Sequence, residues 1–127
     1  MNNLLMGVIV LIGTAGAMTT DLPREMTDIL KQTLAATQQV STAGDMHSMS
    51  AMLDAKYIMD RRLPSEDGFD AWLKATFKEN DIKDLALDHW GNPYIYRVLK
   101  KNRQYRLIST GPDGLEETDD DMIKTGP

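Results

Sequence analysis

The chain has 127 residues, 42% of them hydrophobic and 26% charged, with no Cys and a formal net charge of −5. That length suits one modest domain with a single core and excludes two. The absence of Cys excludes disulfides, thiolate metal sites and cysteine nucleophiles, and the negative balance excludes nucleic acid as a main partner, because phosphate binding calls for a basic surface.

Leu4 to Met18 runs for fifteen residues without a charge. A spanning helix takes about 20 apolar residues, so the run reads as a signal-peptide core or a short membrane anchor, and Ala15-Gly16-Ala17 offers a small-residue cleavage pattern. Gly7, Gly13 and Gly16 disfavour a buried soluble helix there. Pro23 then suits the first turn of a helix, with Asp21 as its cap, and Met26, Ile29, Leu30, Thr33 and Leu34 form a narrow apolar stripe up to about Val40. Ser41 to Gly44 reads as a break or kink. A second helical run from Asp45 to Arg61 puts Met46, Met49, Leu53 and Tyr57 on one face, with Met52 and Met59 beside it, a stripe that reads as core.

Pro64 ends that run, and Ser65 is placed to cap a third helix whose Phe69, Trp72, Leu73 and Phe77 make an apolar face. Asn80 to Asp88 reads as a connection. From Trp90 the period changes to two. Gly91-Asn92-Pro93 signals a turn; Tyr94, Tyr96 and Val98 alternate with Ile95, Arg97 and Leu99; Lys100-Lys101-Asn102 turns the chain; and Tyr105 and Leu107 alternate with Arg106 and Ile108. Helices first and a small antiparallel sheet last predict an α+β fold.

The acidity of the chain is local. Six acids fall between Asp113 and Asp121 with no base among them, and without them 14 bases face 13 acids. Oxygen-rich side chains around Gly111 and Gly114 suit a hard cation such as calcium, which takes six to eight oxygens in irregular geometry. Asp113 and Asp120 stand seven residues apart, so a loop folding back between them would aim both carboxylates at one ion. An EF-hand is excluded: counted from Asp113, its third place is Leu115 and its twelfth Lys124. By spacing alone a calcium loop and a solvated acidic tail both stand. Only two histidines are present. His89 lies in the turn motif and His47 in the Met-rich helix, and contiguous terminal acids do not resemble the cleft of a metal hydrolase, so no enzymatic activity is expected.

Asp88-His89-Trp90-Gly91-Asn92-Pro93-Tyr94, the strand pair after it, Ser109-Thr110-Gly111-Pro112-Asp113-Gly114 and Thr118-Asp119-Asp120-Asp121-Met122 together resemble the major pseudopilin family of type II secretion systems. That family shows Asp-Pro-Trp-Gly-Asn-Pro-Tyr, then Gly-Pro-Asp-Gly followed by Thr/Ser-Asp-Asp-Asp-Ile. The resemblance is strongest over residues 88–123 and extends back to about residue 45 through Met52-Leu53-Asp54, Tyr57, Asp60, Arg62 and Leu63-Pro64. It implies a pilin-like fold, a long amino-terminal helix on a small antiparallel sheet with a carboxy-terminal calcium loop. The structural Ca²⁺ would take carboxylates from Asp113 and Asp120, a hydroxyl from Thr118, backbone carbonyls from Thr110 and Leu115, and Asp121 as ligand or support. The Trp90 to Pro93 segment becomes an anchoring turn.

The resemblance further implies a signal or anchor in residues 1–18 and a periplasmic domain over 19–127. The expected partners are other pseudopilin or secretion-apparatus subunits and the inner membrane, through residues 4–18, with no nucleic acid and no small-molecule substrate. At the amino terminus the family's basic leader and Phe-Thr-Leu-Ile-Glu motif have no counterpart, and Leu4 stands about where the assembly Glu falls. That departure keeps an alternative open: an exported or membrane-anchored calcium-binding interaction module that does not polymerise.

Overall fold

The computed structural model describes residues 23–77 and 83–127. The signal or anchor expected in residues 1–18 lies outside the described residues. The chain divides into two units, residues 1–37 and 38–127. A helix, α1 (Arg24–Asp60), contributes to both.

Within the first unit, the Thr27 amide closes the first helical turn on the Pro23 carbonyl at 3.1 Å, as suits a proline at the helix entrance. Met26, Ile29 and Leu34 of the expected apolar stripe are exposed.

In the second unit α1 continues without interruption from Gln38 to Asp60, which removes the break from the two expectations, break or kink, at Ser41 to Gly44. Thr42 and Met46, one turn apart on either side of Gly44, are both fully buried, and the Thr42 hydroxyl accepts the His89 amide at 3.1 Å. A helical glycine costs about 1 kcal/mol against Ala, less than the roughly 1.5–3 kcal/mol that burying one large apolar side chain returns. The helix ends where Arg61 turns left-handed (φ 54°), and Leu63 and Pro64 are buried beyond it. Ser65 does not cap the next helix: its hydroxyl accepts the Gly68 amide at 3.0 Å and closes a separate turn, and α2 (Phe69–Thr76) begins after Gly68.

Strands β1 (Ile95–Leu99) and β2 (Gln104–Ser109) form the expected hairpin, with Ile95 opposite Ile108 and Leu99 opposite Gln104. Lys100, Lys101 and Asn102 all take positive φ in its turn. A third strand, β3 (Met122–Gly126), pairs antiparallel with the other edge of β2, giving the order β1-β2-β3. The alternation read from the sequence did not reveal it.

The inner face of the sheet carries Tyr96, Tyr105 and Leu107, as the alternation predicts. It packs on Met46, Met49 and Leu53 of α1 and on Phe69 and Leu73 of α2. Of the methionines beside that helical stripe, Met52 and Met59 are exposed. Phe69 stacks on Tyr96 at 4.3 Å between ring centroids. Tyr105 is completely buried, and its hydroxyl meets α1 at Ser50 Oγ (2.5 Å) and Asp54 Oδ1 (2.8 Å). A Cβ on Gly126 would fall 2.7 Å from both the Tyr105 hydroxyl and Asp54 Oδ1, so a larger residue there would displace the Tyr105–Asp54 contact. The fold is α+β, and among the described residues no helix is long and apolar enough to cross a membrane.

Two outcomes follow from this core. Leu53 is wholly buried between α1 and the sheet. Leu53→Ala is expected to lower the unfolding free energy by about 2–5 kcal/mol in urea titrations. Burial pushes the hydroxyls of Tyr94 and Tyr96 well above the ordinary tyrosine range and that of Tyr105 from 10.0 up to about 12. A folded value above the unfolded one means this contribution is complete below the unfolded pKa and is lost as pH climbs through the folded one. Stability should therefore fall from about pH 10 to about pH 12, and Tyr105→Phe should flatten that fall. An identical alkaline slope in the variant would contradict the assignment.

Candidate metal centre

β2 gives way at Ser109 and Thr110 to a loop that returns at Met122 as β3. Gly111 and Gly114 both take φ of 68°, the left-handed geometry that glycine adopts without strain. Between them the chain reverses, and acidic side chains take up the backbone amides that the loop leaves without ladder partners. Asp113 Oδ1 accepts the Leu115 amide at 2.9 Å, Asp121 Oδ2 the Glu117 amide at 2.7 Å, and Asp120 Oδ2 the Asp113 amide at 3.2 Å. The last of these is the fold-back between residues seven apart that the spacing suggests.

The result is compact. Asp113, Asp120 and Asp121 each bring one carboxylate oxygen within 4.8 Å of the others, and this trio is the sole such acidic group among the described residues. Two oxygens bound to one calcium at 2.3–2.6 Å stand at most about 5.2 Å apart, so the trio has the size of a single hard-cation shell. Thr118 Oγ1 sits among these oxygens, 2.5 Å from Asp120 Oδ1, 3.1 Å from Asp121 Oδ1 and 3.0 Å from the Leu115 carbonyl. A hydroxyl has one proton, so it satisfies one of the three neighbours at a time. Whichever of them it serves, the remaining oxygens keep lone pairs for a further donor or a cation. Hydrogen bonding from Thr118 first, and from Asp113 after it, holds the Asp120 carboxyl below the usual carboxylate range, so it stays an anionic oxygen donor.

Of the residues named from sequence, the structure brings together Asp113, Thr118, Asp120, Asp121 and the Leu115 carbonyl, while the Leu115 side chain points to solvent. Thr110 is buried where the loop leaves β2. Asp119 is exposed and does not join the trio, and Glu116 turns away to grip Arg97 Nη2 of β1 through both oxygens, at 2.6 and 2.8 Å.

The turn from Asp88 to Pro93 meets this loop. Asn92 Nδ2 donates to the Gly111 carbonyl at 2.8 Å, and the Asp88 carboxylate, 1% exposed, accepts the Ser109 hydroxyl at 2.7 Å. The two sequence motifs are thus one structure. His89 has a structural engagement, its Nε2 lying 2.9 Å from Asp45 Oδ2 on α1, and His47 is exposed. Sequence reasoning missed Asp88 and the Arg97–Glu116 clip. The pairing of the two motifs was the one signal pointing to Asp88, and nothing in sequence marked the clip.

Comparison with known proteins agrees with this architecture. Residues 28–125 match the family described as Type II secretion system (T2SS), protein G. The type II secretion system core protein G of Pseudomonas aeruginosa is 28% identical over 132 residues, covering 96% of this chain and 88% of that one. The core protein G of Escherichia coli K12 is 43% identical over 49 residues, a local match covering 39% of this chain and 34% of that one. The crystal structure of the major pseudopilin from the type 2 secretion system of enterohaemorrhagic Escherichia coli superposes with a TM-score of 0.50 at 20% identity, covering 83% of this chain and 96% of that chain. At that identity the likeness speaks for the fold: a pilin-like helix and three-stranded antiparallel sheet. The chain belongs to the type II secretion system protein G family.

Proposed function

We infer that this chain is a structural pseudopilin of a type II secretion or related pilus-type apparatus, with calcium stabilising its carboxy-terminal loop. The family match over residues 28–125 carries the first part. In this reading the domain stands in the periplasm, anchored to or exported across the inner membrane through residues 4–18. Its partners are other pseudopilin or secretion-apparatus subunits, and it performs no catalysis.

The calcium part is supported by the convergence of Asp113, Asp120 and Asp121 around the Thr118 hydroxyl. Leu115 and Thr110 would add backbone carbonyls. Calcium supplies positive charge and accepts irregular oxygen geometry there. The chain's own residues do the rest: Gly111 and Gly114 make the turns, Thr118 orients Asp120, and the β2–β3 ladder holds the loop's two ends. Cancelling the repulsion among the carboxylates would fasten β3, whose pairing with β2 begins at Met122, one residue beyond Asp121.

Sites of this extracellular kind have Kd of order 10⁻⁴–10⁻³ M, so about 1 mM calcium should add about 0.4–1.4 kcal/mol. For the full chain in detergent, melting midpoints are expected to stand roughly 2–8 °C higher in calcium than in EGTA. Asp120→Ala should abolish that difference, whereas Asp119→Ala should keep it. Equal midpoints for the unsubstituted chain would overturn the calcium role.

Assembly is tested separately. Chemical crosslinking in cells that produce the chain with its secretion apparatus should give a ladder of multiples. A lone monomer band, with the other pseudopilins still laddering, would favour the non-polymerising module instead.

A further inference from the structure

Asp88 is a fully buried acid that the cation loop does not use directly. Its Oδ1 accepts the amides of Trp90 (3.0 Å) and Asn92 (2.9 Å), which is ordinary turn chemistry and within the reach of an asparagine. Its Oδ2 does something else: it accepts the hydroxyl of Ser109, 21 residues away and wholly buried at the end of β2. Three donors converge on one carboxylate, a group with acceptor capacity only, in a place where an unpaired charge would be costly.

The contact continues toward the metal centre. With its proton committed to Asp88, Ser109 Oγ presents lone pairs and accepts the Gly111 amide at 3.3 Å. The other polar group of Gly111, its carbonyl, accepts Asn92 Nδ2 at 2.8 Å, and Asn92 is itself held by Asp88. Gly111 is therefore gripped on both sides by a network rooted in Asp88. Its open side is filled by Asp120: a Cβ on Gly111 would fall 2.6 Å from the Asp120 carbonyl and 2.8 Å from Asp120 Oδ2. Asn92 also abuts Gly114, with Oδ1 3.1 Å from the place of a Cβ there.

We propose that Asp88 is a positioning residue for the cation loop, setting its calcium affinity through Ser109, Asn92 and Gly111 without touching the ion. The inference rests on the calcium reading above and adds to it the element that presets where Asp120 stands. Groups that orient metal ligands from behind typically govern affinity by 10–100-fold.

The test titrates calcium chloride calorimetrically into the metal-stripped full chain in detergent, and measures each variant's melting midpoint in EGTA. Asp88→Asn retains Oδ1 and the turn but replaces the oxygen that faces Ser109 with a donor. Ser109→Ala removes the hydroxyl and leaves Asp88 in place, which covers the case of a misfolded Asp88 variant. Both are expected to raise the calcium Kd about tenfold or more, and Leu53→Ala, a core change away from the network, to lower the EGTA midpoint with Kd unchanged. If Asp88→Asn and Ser109→Ala behave like Leu53→Ala, with lower midpoints and unaltered Kd, Asp88 is structural only and the proposal falls. If the unsubstituted chain itself takes up no calcium, the metal reading falls and this proposal falls with it.

Discussion

The mutual repulsion of three carboxylates is the constraint around which this domain's sheet end is built. Asp113, Asp120 and Asp121 bring oxygens within 4.8 Å of one another, on a loop whose neighbours Glu116, Glu117 and Asp119 are also acids. Left to itself such a stretch favours extension. It is opposed by contacts of several kinds. Backbone amides of Leu115, Glu117 and Asp113 donate to the carboxylates, Thr118 bridges them, and Arg97 draws Glu116 over to β1. Each acts by placing a donor or a cation against an acid, so the loop's shape follows from where the positive ends of dipoles can be found.

Those donors are in place only because the sheet is in place, and the sheet owes its position to α1. Tyr105 sits in the middle strand with no exposed surface, its ring in the core and its hydroxyl against Ser50 and Asp54 of the helix. One side chain therefore supplies both apolar burial and a polar register mark between helix and sheet. β3 passes the same point at Gly126, and the loop is held at both ends: at Ser109 by Asp88 and at Met122 by the pairing of β3 with β2.

How far the sequence discloses this arrangement depends on the range of the forces involved. The face of α1 carrying Met46, Met49 and Leu53 and the hairpin alternation about Tyr96, Tyr105 and Leu107 were legible because burial on one face imposes a period. The approach of Asp113 to Asp120 was legible because two glycines bracket the start of the segment between them. The uninterrupted helix through Gly44 was not, since local propensity is outweighed by packing of Thr42 and Met46 against segments far along the chain. β3 was not, because Ile123, Lys124 and Thr125 of this edge strand are exposed and its conformation comes from pairing with β2. Ser65 has the sequence signature of a helix cap because capping chemistry is the same for a helix and for the isolated turn it closes.

The spacing of the two motifs has a geometric reason in the hairpin between them. Ile95 pairs with Ile108 in the β1–β2 ladder. Asn92 lies three residues before Ile95 and Gly111 three after Ile108, so the Asn92–Gly111 hydrogen bond falls on the continuation of the same register. The strand pair thus acts as a ruler that brings the turn's amide to the loop's first glycine. Because side chains alternate along a strand, a slip of one residue would part Asn92 from Gly111 and turn Tyr105 out of the core in the same movement. The core and the candidate metal centre are specified by one register: the burial that stabilises the sheet also holds the loop where its carboxylates meet.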